Sequence, residues 1–316
     1  MKKSTVFKIF FAILVIGYFL YTSFDPKKFE ASVNNIKEEI VKAESQENDE
    51  IDEFGNGYEA PGLFKVYYLD VGQADSIFIK TEEKNMLIDA GGNESGIKIV
   101  NFLNSLNVEK IDYLVATHPH EDHIGGMDDI INNFKIGKFY MPDNYTTTKT
   151  FEDMITALEN KNLKYYVPNI GDEIIMDDAD FEVLYLDSSS EDLNDSSIVL
   201  KGIYEKYSFL FMADASSKVE ENLIKEYGED LKSDVLKVGH HGSNTSTSKK
   251  FLEYVKPSYA IISVGKQNRY NHPGKYTISR LNNFNIETYK TSVDGSILIT
   301  CDSKSISVSK IETNTD

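Results

Sequence analysis

The feature of this sequence that most constrains its fold is a cluster of histidines and acids directly after a predicted strand. The strand DYLVAT continues into THPHEDHIGG, which places His118, His120, Asp122 and His123 within six residues. Alternate side chains of an extended segment point the same way, and the turn into a following helix brings the later two back. A polar loop with unrelated histidines is the alternative, but the chain has only six histidines in 316 residues. The cluster therefore predicts a metal site at a strand end.

The rest of the body reads as an α/β sandwich. The runs FKVYYLDV, DSIFIKT and NMLIDA, separated by turn residues, predict an antiparallel start. Strands that run consecutively in the middle, with helices at intervals, favour two sheets packed face to face with helices outside over a doubly wound parallel sheet. The predicted helices cover residues 96–106, 125–134, 150–161, 218–227 and 247–254.

Composition excludes several classes of protein. The single cysteine, Cys301, rules out an intramolecular disulfide framework and a cysteine-based zinc site, and its strand-like setting predicts a core position. A net charge of -18 leaves no basic footprint for tight, non-specific nucleic-acid binding. A nuclease stays possible because bound metal ions can supply local positive charge. We expect a monomer.

The first 60 residues read as a membrane or export signal and a spacer. Lys2, Lys3 and Lys8 precede an apolar, uncharged run over residues 9–24, which predicts an anchor or a cleaved signal peptide over residues 1–24. No good small-residue cleavage site follows, so we favour the anchor. Residues 25–60, with eleven acids and four lysines, predict an acidic tether. The domain is then expected over 61–316, outside the cytoplasm.

The histidine cluster resembles the H-x-H-x-D-H signature of the metallo-β-lactamase superfamily. Asp89 in LIDAGG, Asp214 at the end of FLFMAD and His240 at the end of DVLKVG match the family order. This resemblance implies a four-layer αββα sandwich and two divalent metal ions, Zn or Mn. It also implies that Asp214 bridges the ions and that Asp89 orients the metal loop without binding a metal.

A narrower resemblance covers roughly residues 64–285. The segments YLDVGQADS, LKVGHHGSNTS and NRYNHP are similar to the extracellular domain of ComEC-type competence proteins, and to choline-phosphate esterases of the same branch. The multispan channel of the ComEC-type proteins is not found in this chain. We therefore do not expect a role as the DNA-transport pore.

One ligand position departs from the superfamily. Most members have a histidine before the strand that leads to the bridging aspartate, whereas this chain has DLNDSSIVL there. Asp195, with Asn194 beside it, is the expected substitute. A third carboxylate would move selectivity from Zn²⁺ toward Mn²⁺. The implied arrangement then has two sets of ligands: His118, His120 and Asp195 for metal one, and Asp122, His123 and His240 for metal two.

Further candidates surround these ligands. Asp70 and Asp75 are expected either to support the metal site or simply to form a tight turn. Asp214 has the alternative of capping the following helix. Five residues are candidates for contacting the substrate, stabilising a phosphoryl oxygen or protonating a leaving group. They are His241, Ser243, His272, Asn268 and Tyr270. A surface turn is the alternative for the last two and for His272.

The resulting hypothesis is an extracytoplasmic binuclear phosphodiesterase in which a hydroxide between the two ions attacks phosphorus, with Asp122 among its catalytic residues. The substrate is DNA or a cell-wall phosphodiester. The alternative is a non-catalytic, metal-stabilised binding module on the cell surface, because the missing third histidine is compatible with lost activity.

A chain that starts near Asn56 should fold without the preceding residues, because the tether is too acidic and too poor in apolar residues to contribute to a core. Thermal melting followed by circular dichroism tests this. Aggregation, or loss of a cooperative transition, would show that the tether is part of the fold.

Overall fold

Two mixed sheets form the frame of the protein, in a computed structural model that describes residues 63–311. The strands are β1 Phe64–Tyr68, β2 Ile77–Lys80, β3 Asn85–Ile88, β4 Lys110–Val115, β5 Lys135–Tyr140, β6 Tyr165–Tyr166, β7 Glu173–Met176, β8 Ala179–Tyr185, β9 Val199–Tyr204, β10 Tyr207–Phe211, β11 Val235–Lys237, β12 Tyr259–Ile262, β13 Glu287–Lys290, β14 Ser296–Cys301 and β15 Ile306–Ile311. The first sheet has the order β15-β14-β1-β2-β3-β4-β5-β6, and the second has the order β13-β12-β11-β10-β9-β8-β7.

Helices connect the parallel strands. They are α1 Gly96–Ser105, α2 Glu121–Ile124, α3 Met127–Asn133, α4 Lys149–Asn160, α5 Ser217–Tyr227, α6 Lys249–Val255, α7 Lys275–Asn283 and α8 Thr291–Asp294, with short 3-10 turns at Leu193–Ser196, Gly228–Leu231 and Gly239–Gly242. Serine or threonine side chains cap three of them, as Thr148 does for α4 by accepting from the Phe151 N–H.

Side-chain alternation along the strands produces a layered core. In β10, Phe209 and Phe211 face the first sheet, while Leu210 faces the helices. In β1, Val66 faces the second sheet and Tyr67 packs under α1. Three apolar clusters result, one between the sheets and one under each outer helical layer. The prediction of two face-to-face sheets with helices outside is confirmed, as is the antiparallel pairing of β1, β2 and β3.

The strand directions bring the metal-binding residue types together. Strands β3 and β4 run parallel in the first sheet, and β10, β11 and β12 run parallel in the second. The carboxyl ends of parallel neighbours lie at the same sheet edge. Asp89, the histidine cluster, Asp214 and the His240-His241 pair all follow such strand ends.

The predicted N-terminal segment and acidic tether lie outside the described residues. Within residues 63–311, no helix has the length and apolar character that a bilayer crossing requires. Helix α7 was not predicted from the sequence.

Candidate metal centre

Asp89 holds the histidine loop in position. Its backbone has a φ of 59°, and its carboxylate accepts hydrogen bonds from the N–H and the hydroxyl of Thr117, at 2.8 and 2.7 Å. Its Oδ2 also lies 2.7 Å from Nδ1 of His123. A proton on that Nδ1 leaves Nε2 of the ring free to bind a cation, which is how a carboxylate orients a histidine ligand. The structure thus places Asp89 in contact with both Thr117 and His123.

Asp214 lies at the centre of the cluster, with only 2% of its surface exposed. Its Oδ1 is 3.3 Å from Nε2 of His123 and 3.6 Å from Nε2 of His241. Its Oδ2 is 3.9 Å from Nε2 of His118 and 3.6 Å from Nε2 of His240. One carboxylate therefore faces two pairs of histidines, one pair per oxygen. Either oxygen could share a bound cation with its neighbouring histidines.

One side of the cluster has three donors close enough to share a divalent cation, and the other has a close pair of histidines. Nε2 of His118 lies 3.0 Å from Nδ1 of His120, roughly the separation of two ligand atoms around one ion. On the other side, Asp122, His123 and His241 offer ligand atoms within 4.8 Å of one another. His118, His123 and Asp214, which span the two sides, also do so.

Unpaired buried atoms point into this cluster. In residues 63–311, Nε2 of His123, Nε2 of His241 and Oδ1 of Asp214 are buried without a hydrogen-bond partner. Such atoms are rare in folded proteins and require an explanation, which a bound cation supplies. The mixed nitrogen and oxygen donor set suits Zn²⁺ or Mn²⁺.

Opposite charges dominate the electrostatics of the cluster. Burial disfavours the ionised carboxyl of Asp214, but His241 and His123 outweigh that effect and hold its pKa well below the usual range. Burial likewise disfavours a charged His241, but Asp214 and Asp75 raise its pKa to about 10. For Asp122 the nearby His241 and His123 outweigh burial and lower the pKa to about 2. Cation binding must therefore displace histidine protons.

The adjacent histidines differ from the expected arrangement. We predicted an extended strand to Gly239, with His240 as the ligand of metal two, but β11 ends at Lys237. His240 and His241 both have left-handed backbone angles, with φ of 49° and 50°. The alternation rule for extended chains does not apply there. Nε2 of His241 lies 3.3 Å from Oδ2 of Asp122, so the geometry groups His241, and not His240, with Asp122 and His123.

The predicted third carboxylate also differs. Oδ1 of Asp195 accepts a hydrogen bond from the Ser216 N–H at 3.2 Å, and its Oδ2 lies 4.0 Å from Nζ of Lys218. Asp195 therefore faces the start of α5 and not the cation cluster. The neighbouring Asn194 lines the cavity above the cluster, and its buried Oδ1 has no hydrogen-bond partner in the described residues. The 3-10 turn at Leu193–Ser196 causes this one-residue difference.

A buried ion pair between the two sheets, which the sequence did not predict, supports the site. Lys237 is fully buried on the face of β11 between the sheets, and its Nζ donates to Oδ2 of Asp75 at 2.7 Å. Asp75 also donates from its N–H to the carbonyl of Asp122 and accepts from the Gly91 N–H. Its Oδ1 lies 3.3 Å from Nδ1 of His241. Asp75 thus connects three loops of the site. A lysine within the apolar run DVLKVG was the available signal.

Nδ1 of His241 has a second neighbour, the carbonyl of Ser263, at 3.0 Å. A proton on Nδ1 donated to that carbonyl leaves Nε2 for a cation.

An open cavity of about 740 Å³ lies above the cluster. One wall is the loop over residues 266–272, where Tyr270 is half exposed and its ring stacks on His272 at a centroid distance of 5.7 Å. The Arg269 guanidinium lies 4.9 Å from the centre of the Tyr270 ring. Asn268 closes the loop by accepting from the His272 N–H and donating to its carbonyl. Arg269 was not predicted.

Two candidates make local contacts in the structure. Ser243 is buried, and its hydroxyl lies 2.9 Å from that of Thr245. Asp70 accepts from the Gly72 N–H, which is the turn alternative. Cys301 is buried in the core between the sheets, as predicted.

The fold and the site together define a class. A model of the metallo-beta-lactamase superfamily matches residues 69–266, and the chain belongs to that superfamily, whose members are metal-dependent hydrolases. The resemblance to ComEC-type competence proteins is confirmed as well. ComE operon protein 3 of Bacillus subtilis is 29% identical over 252 residues, which are 74% of this chain and 32% of that protein.

Two further proteins are similar to this chain, one named as an exodeoxyribonuclease and one with a solved structure. The exodeoxyribonuclease WalJ of Streptococcus pneumoniae is 34% identical over 94 residues, which are 29% of this chain and 32% of that protein. The metallo-beta-lactamase fold protein YhfI from Bacillus subtilis has a TM-score of 0.50 at 10% identity, and the match covers 76% of this chain and all of YhfI. Each match covers about a third of the length of ComE operon protein 3 and of WalJ.

Replacing either member of the buried ion pair alone should be strongly destabilising. Lys237→Met or Asp75→Asn leaves a charge or a donor without its partner between the sheets, and the expected loss is about 3–5 kcal/mol of unfolding free energy. The double variant should recover most of this loss because neither charge remains. Urea unfolding of all three variants measures it.

Lys110→Met is the control, because Lys110 pairs with Asp112 at the surface. Equal losses in the control and in Lys237→Met would contradict the importance of the buried pair.

Proposed function

We propose that this domain is a binuclear metal-dependent phosphodiesterase. The observation that carries the proposal is the division of Asp214 between two pairs of histidines at the base of an open cavity. Two divalent ions, when bound, lower the pKa of a coordinated water and offset the negative charge that develops on phosphoryl oxygens.

Residues of the chain fix the orientation of the histidine rings that would hold the ions. Asp89 and the Ser263 carbonyl fix the rings of His123 and His241, so that their Nε2 atoms face Asp214. His272 lines the cavity wall, where it is able to contact a phosphoryl oxygen. Burial, with the charges of His240 and His241, lowers the pKa of His272. It therefore donates a hydrogen bond from a neutral ring at pH 7.

The cavity rim favours a nucleic-acid phosphodiester over a cell-wall ester. Arg269 is one of only two arginines in the chain, and its guanidinium suits a phosphate. The half-exposed Tyr270 ring offers a stacking surface for a base. The similarity to WalJ, which is named as an exodeoxyribonuclease, also supports a nucleic-acid substrate. A net charge of -18 fits contact with a short length of strand and not tight binding along a duplex.

Metal-loaded protein assayed with bis-p-nitrophenyl phosphate, a DNA oligonucleotide and a choline-phosphate ester tests this proposal. We expect hydrolysis of the first two. A protein that holds two ions but hydrolyses none of these substrates would support the non-catalytic binding module instead. Hydrolysis of the choline ester alone would move the substrate class to the cell wall.

Asp122→Asn should abolish turnover and remove one of the two ions, because Oδ2 of Asp122 faces the His241 half-site. A loss of more than about 10²-fold is expected, in line with the loss of a whole catalytic group. Asp128→Asn is the control, since Asp128 lies in the first turn of α3. Full activity of Asp122→Asn would reject the role assigned to Asp122.

We also propose that the domain works outside the cytoplasm, on the basis of the lysines and apolar run at residues 2–24. Protease added to intact cells should degrade the domain. Protection until the cells are lysed would contradict this location.

A further inference from the structure

We propose that the two adjacent histidines serve different ions, with His241 completing metal two and His240 completing metal one. His240 would then replace the histidine that the superfamily has before β9 and this chain lacks. The inference rests on the two-ion site proposed above and assigns its ligands.

The first observation is the position of each ring relative to Asp214. Nε2 of His241 lies on the Oδ1 side with His123, whereas Nε2 of His240 lies on the Oδ2 side with His118. The His240 and His241 rings are 6.2 Å apart at 69°. They therefore approach the same carboxylate from different directions.

The second observation is the backbone that separates the rings. Consecutive non-glycine residues in the left-handed region are strained, and such strain persists only where the surroundings hold it. Here the His240 N–H donates to the Ala213 carbonyl at 2.9 Å, and the Ser243 N–H donates to the His240 carbonyl at 2.8 Å. The first of these bonds ties the pair directly to the residue before Asp214.

The third observation is the need of metal one for another ligand. Nε2 of His118 lies 3.0 Å from Nδ1 of His120 and 3.9 Å from Oδ2 of Asp214, whereas Asp195 accepts from the Ser216 N–H. His240 is partly exposed on the cavity wall, with 27% of its side chain accessible, so it can contact an ion at the open side of the cluster.

Counting bound ions in paired variants tests the assignment without an activity measurement. Asp122→Asn removes metal two and should leave one Mn²⁺ or Zn²⁺ per chain. Adding His240→Gly should then leave none, because metal one loses its ligand. Adding His241→Gly to Asp122→Asn should still leave one ion. Glycine is used because it adopts the left-handed backbone without strain.

Elemental analysis after dialysis gives the stoichiometry, and isothermal titration gives the affinity. In the otherwise native chain, His240→Gly should weaken one of the two ions by more than about 100-fold, beyond the loss typical of an outer partner. His272→Gly is the matched control, because His272 contacts the His240 ring without approaching Asp214 within ion-pair distance in the described residues. Circular dichroism melts verify that each variant is folded.

One ion remaining in the Asp122→Asn, His240→Gly variant would overturn the assignment, as would none remaining in the Asp122→Asn, His241→Gly variant. A native chain that binds fewer than two ions would overturn it together with the binuclear site. The expected metal counts in a protein without phosphodiesterase activity would support the assignment and contradict only the proposed function.

Discussion

The buried carboxylate of Asp214 is the charge on which the arrangement of the site depends. A carboxylate taken out of water costs several kcal/mol unless opposite charge or hydrogen bonds compensate it. Four histidines from two loops supply that compensation, two at each oxygen. The parallel strands make this possible, because the residues that follow β4, β10 and β11 lie at one edge of the sandwich. Without the carboxylate, the clustered rings would have no common partner.

The ion pair between Asp75 and Lys237 likewise compensates buried charge, in this case between the two sheets. It joins a loop of the first sheet to a strand of the second, and its two residues are 162 positions apart in sequence. Net stabilisation by a buried ion pair is small, since desolvation offsets much of the attraction, but breaking one is costly. The pair therefore selects one relative placement of the loops that carry Asp89, Asp122 and His241.

Much of the fold followed from local patterns. The β-rich runs FKVYYLDV, DSIFIKT and NMLIDA predicted an antiparallel start, and the pairing of β1, β2 and β3 confirmed it. Helix α7 was missed because its buried side chains are only Thr277 and Leu281, too few for a helical apolar stripe. The end of β11 was also misplaced. The residues Val238 and Gly239 continue the apolar pattern, although the regular strand pairing stops at Lys237.

By itself, the sequence determined the residue types, their order and their location at strand ends, because the spacing of His118, His120, Asp122 and His123 is a local property of one loop. Only the tertiary structure decided which neighbouring side chain faces the site. Asn194 and not Asp195 lines the cavity, and His240 and His241 face different oxygens of Asp214. These outcomes depend on a 3-10 turn that Asp192 caps and on two left-handed backbone angles at His240 and His241. The His240 N–H donates to the carbonyl of Ala213, which is distant in sequence, so strand and helix periodicity could not indicate this geometry.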